Sequence, residues 1–139
     1  MPEVPRARVL VPGEATGEVL VLDEPLSFWG GLDPETGTLI DSHHPQVGTM
    51  LKGKVLVMPS GRGSSSSSYV LAEAIRAGTA PVGVVLGEAD AIVALGSIVA
   101  GELYGIDVPV VVSADAVLVA GSSVTVRATT GGKVDISRA

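Results

Sequence analysis

The sequence predicts an α/β fold, with a central β/α/β/α/β unit wrapped by β-segments at both ends. Short runs rich in Val, Leu and Ile recur along the chain and read as strands. Between the middle three runs lie two longer stretches, at residues 69–78 and 91–100, with helical character. The junction before the first of these is a Gly- and Ser-rich turn, which leads from strand into helix within a few residues.

Taken in order, residues 8–11 and 18–22 are strand candidates, separated by the turn-forming stretch Pro12-Gly13-Glu14-Ala15-Thr16-Gly17. A polar, Gly-rich excursion follows over residues 27–48, with strong turn chemistry at Asp33-Pro34-Glu35-Thr36-Gly37. A loop of this length inside a small domain is more often functional than incidental. Its two large aromatics, Phe28 and Trp29, have no obvious place in an aliphatic core. They read either as a local plug or as a docking anchor, since Trp is enriched at binding hot spots.

Residues 54–58 form the next strand candidate. In the helix that follows, Val70, Leu71, Ala74 and Ile75 share one stripe, Glu73 and Arg76 turn outward, and Gly78 closes the end. Residues 81–86 are a second buried strand. Asp90 is placed to cap a helix over 91–100 that is apolar nearly all round, which points to deep burial or an oligomer contact. Residues 108–112 are a third strand, and 124–127 with 133–136 close the chain around Thr129-Thr130-Gly131-Gly132. No repeat or linker divides the sequence, so a single domain over residues 1–139 is expected.

Composition narrows the function. With 46% hydrophobic and 17% charged residues the chain is globular rather than disordered. Its aromatics are only Phe28, Trp29, Tyr69 and Tyr104, so the core is aliphatic. A formal charge of −6 without a basic cluster argues against nucleic-acid binding. No apolar stretch reaches the ~20 residues of a membrane span, and no secretory signal is visible, so a cytoplasmic protein is expected. The chain lacks cysteine, which excludes disulfides and thiolate ligation of an iron–sulfur cluster by its own residues.

The stretch Pro59-Ser60-Gly61-Arg62-Gly63-Ser64-Ser65-Ser66-Ser67-Ser68 carries the chemistry. A serine run on its own usually reads as a flexible linker. This one lies between two core-like elements, where a turn into a helix gathers unpaired amides around a small anion pocket. Gly61 and Gly63 suit a sharp turn or a close backbone approach, and Ser64, Ser65 and Ser66 can cap the helix or face the anion. Arg62 is placed for bidentate pairing with a carboxylate or phosphate, the alternative being an exposed turn residue.

A serine base needs its hydroxyl shifted by several pKa units, at about 1.36 kcal/mol each. A helix N-terminus supplies only ~0.3–1 kcal/mol, rising to about 2 when partly buried. The dipole alone is too weak, so Arg62, a closed, dry site and a metal on the substrate are needed as well. His43 and His44 complete no catalytic triad, and adjacent histidines rarely share a metal; they read as exposed or interface residues.

The chain resembles the small subunit of aconitase X-type dehydratases. The resemblance runs over nearly its whole length and is most specific at residues 27–37 (Ser27-Phe28-Trp29-Gly30-Gly31 through Gly37) and 58–66, with further likeness at Gly78-Thr79-Ala80-Pro81 and Glu102-Leu103-Tyr104-Gly105. It implies a swivelling β/β/α domain of the aconitase mobile-domain type. It also implies a hydro-lyase that eliminates water from a small hydroxy acid and is active only with a large subunit bearing an iron–sulfur cluster or metal. In this family the serine after the Gly-Arg/Lys-Gly turn accepts the proton, which implies Ser64, with the register open across Ser64–Ser66. Gly61, Arg62, Gly63, Ser65 and Ser66 would then hold the anionic group.

Two substrates are implied: cis-3-hydroxy-L-proline, whose enzymes the unbroken serine run, Trp29 and His43-His44-Pro45 resemble more closely, and mevalonate 5-phosphate. A non-catalytic anion-binding module is the alternative of another class.

Overall fold

The computed structural model describes residues 7–114 and 118–139. In chain order the elements are β1 (Ala7–Val11), β2 (Gly13–Val21), α1 (Phe28–Gly31), β3 (Val55–Met58), α2 (Ser66–Ala77), β4 (Gly83–Leu86), α3 (Ala91–Tyr104), β5 (Val110–Ser113), β6 (Ser123–Ala128) and β7 (Val134–Arg138). The strands join in the order β1-β5-β4-β3-β2-β6-β7. β2 to β5 run parallel, while β1 lies antiparallel to β5 and β6 antiparallel to β2.

β2 links the two halves of this sheet. Residues 13–18 pair with β6 and residues 19–21 with β3. The turn expected at Pro12-Gly13-Glu14-Ala15-Thr16-Gly17 is therefore strand from Gly13 onward. Glu14, Thr16 and Glu18 alternate outward in a period of two that the two glycines obscured in the sequence. Gly17 is required by proximity, since a Cβ there would lie 2.6 Å from the Gly53 carbonyl.

Alternation along the parallel strands separates two cores. Leu56, Met58, Val84, Leu86 and Val110 face Leu71, Ala74, Ile75 and Val93 of the helices. Val19, Val55, Val85 and Val111 face Val124, Val126 and Ala128 of the β6–β7 layer. The result is a β/β/α arrangement, and the strands read as near-continuous apolar runs because both of their faces are covered.

α2 begins at Ser66, three residues before the helix read from sequence, and ends at Gly78 in the left-handed region (φ 77°). α3 continues past residue 100 to Tyr104 and stops at Gly105 (φ 67°). The Asp90 carboxylate accepts from the amides of Ile92 (2.9 Å) and Val93 (3.0 Å), capping α3 as expected. The apolar character of α3 is divided: Val93, Ala94, Gly96, Ser97 and Ala100 are buried, while Leu95, Ile98 and Leu103 face outward. No helix among the described residues is long and apolar enough to cross a membrane.

The excursion after β2 corrects two expectations. Phe28 is 1% exposed and belongs to the helix-side core, so it is a plug, whereas its neighbour Trp29 is 59% exposed. His44 is buried at 5% exposure, although His43 is exposed. The Gln46 amide donates to His44 Nδ1 (3.0 Å), leaving Nε2 as the protonated nitrogen that reaches the Glu24 carbonyl (3.2 Å). This ring braces the excursion against the loop that leaves β2.

Candidate functional site

Three loops meet at the carboxyl ends of the parallel strands: residues 22–27 after β2, 59–65 after β3 and 87–90 after β4. Ligands of open parallel sheets gather at this edge. Backbone bonds hold the loops side by side. The Gly87 amide donates to the Met58 carbonyl (3.1 Å), Glu88 to Pro59 (2.9 Å) and Arg62 to Leu26 (3.2 Å).

The two glycines of the turn have different reasons to be there. Gly63 has φ +48°, a left-handed conformation that a side chain strains. Gly61 is not left-handed. A Cβ on it would stand 2.5 Å from Asp90 Oδ2 and 2.9 Å from Val93 Cγ2, so it is needed for the close approach of the loop to the α3 cap.

The serines, alike in sequence, differ in the fold. The Ser64 hydroxyl oxygen accepts the Ser66 amide (3.2 Å), and the Ser64 carbonyl accepts from Ser67 (2.9 Å). Ser65 occupies the N-cap position with helical dihedrals and makes no side-chain cap bond. Ser66 starts α2 and is exposed. Ser68 donates its hydroxyl to the Ser65 carbonyl (2.8 Å). The linker reading is overturned, because Ser66, Ser67 and Ser68 are helical.

Among the described residues, the amides of Gly63, Ser64 and Ser65 meet no acceptor, and no carboxylate pairs with Arg62. Arg62, Gly63, Ser65 and Ser66 are exposed; Gly61 and Ser64 are half-buried. In this chain the site is thus an open rim. Pro59 also borders a cavity of about 200 Å³ lined by Met58, Leu86, Gly87 and Ser113, but Ser64 to Ser68 lie outside it. Arg62 is the sole cation of the three loops, against Asp23, Glu24, Glu88 and Asp90.

Sequence reasoning missed Ser27 and Ser67. Ser67, buried beneath the turn, shares a 2.9 Å hydrogen bond with the Ser27 hydroxyl and accepts the Trp29 amide (3.1 Å). Forty positions separate the two serines, and no local pattern signals their pairing. The donor set does not fit a resident metal or iron–sulfur cluster. The chain has no thiolate, and no group of three His, Asp or Glu side chains converges among the described residues.

The comparisons with known proteins agree with this architecture. The family model described as the aconitase X swivel domain matches residues 4–136. Over 103 residues, 74% of this chain, the sequence is 50% identical to a cis-3-hydroxy-L-proline dehydratase of Pseudomonas aeruginosa, but it spans only 18% of that protein's length. It is 41% identical over 127 residues to the phosphomevalonate dehydratase small subunit of Thermococcus kodakarensis, covering 91% of each chain. The crystal structure of Thermococcus kodakaraensis aconitase X in its holo-form superimposes with a TM-score of 0.80 at 41% identity, over 94% of this chain and 95% of that one. A β/β/α domain with a Gly-Arg-Gly-Ser turn at its strand ends, matched along nearly its whole length, belongs to the aconitase X swivel-domain family.

Proposed function

We propose that residues 1–139 act as the swivel domain, in the role of a small subunit, of a cytoplasmic aconitase X-type hydro-lyase that dehydrates cis-3-hydroxy-L-proline. The observation that carries the reading is Ser64. Of the three candidate serines it is the one whose hydroxyl oxygen accepts a backbone amide, at the N-terminus of α2 and two residues from Arg62. A donor on that oxygen favours its deprotonated form. Ser64 then takes the proton next to the substrate carboxylate. Arg62, with the open amides of Gly63 and Ser65, binds the carboxylate; Gly61 lets the loop seat on the α3 cap, and Ser66 supplies its amide to Ser64.

The amide and the helix terminus together supply a few kcal/mol at most. The exposed rim must therefore be covered and dried by a large subunit, to which the iron–sulfur cluster or metal also belongs. This chain brings one wall of the site, and a swing of the domain closes it.

The charge balance of the rim favours a zwitterion. One arginine among four carboxylates suits a substrate with its own cationic nitrogen better than a phosphate dianion. The second reading, dehydration of mevalonate 5-phosphate, is supported by the match along 91% of a phosphomevalonate dehydratase small subunit.

Co-expression with an aconitase X-type large subunit, followed by assay on both substrates, tests the proposal. Ser64→Ala is expected to nearly abolish turnover while assembly persists, with smaller losses for Ser65→Ala and Ser66→Ala. Near-normal turnover in Ser64→Ala refutes the assignment. Calorimetric binding of phosphate or carboxylates by the lone chain, with no activity in any complex, supports an anion-binding module instead.

A further inference from the structure

Trp29 combines a large exposed side chain with a tightly held backbone in a loop. Its amide donates to Ser67 Oγ (3.1 Å), its carbonyl accepts from Ser27 Oγ (3.2 Å), and the two hydroxyls bond to each other (2.9 Å). On one side Phe28 is locked in the core. On the other, Gly30 turns with φ +76° and Gly31 touches Leu26, where a Cβ would come within 2.7 Å of its side chain. The chain at Trp29 is kinked out of helical geometry (ψ 116°), which turns this residue away from the course of Phe28.

The anchor is Ser67, which lies in the first turn of α2, three residues beyond Ser64 and in the same bonded turn. A second bond, Arg62 to the Leu26 carbonyl, ties the same two loops on the other side. A mere helix cap needs none of this, and Ser67 does not cap α2.

We infer that Ser67 is a positioning residue that fixes Trp29 beside the 61–66 loop, and that the indole forms an apolar wall against the saturated ring of the substrate. The inference rests on the dehydratase reading. The carboxylate of a cyclic amino acid is held by Arg62 and the loop amides, which leaves the ring's methylene face to be covered. Aromatic faces receive such groups well, with two side-chain torsions to fix and a large contact area. The same wall gains less from the flexible chain of a linear phosphate ester, so it discriminates between the two substrate classes.

Trp29 is the sole tryptophan of the chain, so its emission reports on the arrangement directly. In the isolated chain of residues 1–139, Ser67→Ala is expected to lower the steady-state emission anisotropy of Trp29, and Ser67→Thr, which keeps the hydroxyl, to preserve more of it. In the assembled enzyme, Trp29→Leu is expected to raise KM for cis-3-hydroxy-L-proline about tenfold with kcat within about twofold, and Trp29→Phe to recover most of the loss. Ser67→Ala should move KM in the same direction by less.

Unchanged anisotropy and unchanged KM in Ser67→Ala overturn the positioning role. A Trp29→Leu enzyme that binds its large subunit more weakly, yet shows wild-type KM at saturating subunit, makes Trp29 a docking residue and overturns the wall. A wild-type complex inactive on both substrates defeats the dehydratase reading, while the anisotropy result still decides whether Ser67 holds Trp29.

Discussion

Gly61 and Asp90 meet across the end of the sheet, so close that a Cβ on the glycine would stand 2.5 Å from Asp90 Oδ2. Asp90 cannot easily move aside, because its other oxygen accepts two amides at the start of α3. The loop after β3 and the helix after β4 are thereby set against each other with no slack. Gly61→Ala should cost about 1–3 kcal/mol by overpacking this contact, and Asp90→Ala about 1 kcal/mol through the lost cap. Because removing the carboxylate relieves the clash, the double variant should be less destabilised than the two single effects combined, as urea denaturation will read. Strict additivity would mean that the two residues do not meet.

Gly63→Ala provides a contrast by a different mechanism. Nothing stands within 4 Å of a Cβ there, but the left-handed backbone is strained by any side chain. A loss of roughly 1 kcal/mol is expected, and unlike that of Gly61→Ala it should be unaffected by changes at Asp90.

Adjacent aromatics should separate cleanly. Phe28→Ala empties a fully buried position and is expected to cost about 3–5 kcal/mol. Trp29→Ala removes an exposed ring and should stay within about 0.5 kcal/mol of wild type. Equal losses would contradict their opposite burial.

Arg62→Ala should leave stability nearly unchanged, since the side chain is exposed and makes no ion pair among the described residues. In the assembled enzyme it should lower kcat/KM by about ten- to a hundredfold, the worth of a charge-assisted hydrogen bond. Arg62→Lys should recover part of this, because it keeps the charge without the planar fork.

On the outer face of α2, Arg76 donates through Nε and Nη2 to the two carboxylate oxygens of Glu73, and this pairing holds the Glu73 carboxyl below its usual range. A carboxyl lowered in the folded state favours folding above its ordinary pKa, and the benefit is lost as pH falls through the lowered value. Arg76→Gln should return the Glu73 titration to the ordinary range, as a side-chain NMR titration will show. The melting temperature should barely move, because the pair is solvent-exposed.

The central β/α/β/α/β unit was legible because its signals are local. Apolar runs, the Asp90 cap and the glycine stop at Gly78 each act within a few residues. β2 was read too short because Gly13 and Gly17 imitate a turn, whereas Gly17 is there for the Gly53 carbonyl of a neighbouring segment. His44 looked exposed for a similar reason: its partners, Glu24 and Gln46, become visible only once the excursion folds back on the loop after β2.

Sequence alone determined the strand-to-helix turn, because short local patterns encode it directly, and its motifs at residues 27–37 and 58–66 carried the resemblance to the family. The tertiary structure decided which partners each serine meets and how deeply each is buried. Ser64 and Ser68 bond within the run, whereas Ser67 alone meets partners from a distant loop, Ser27 and Trp29; the neighbouring Arg62 and Gly61 are likewise set by Leu26 and Asp90, which no local pattern announces.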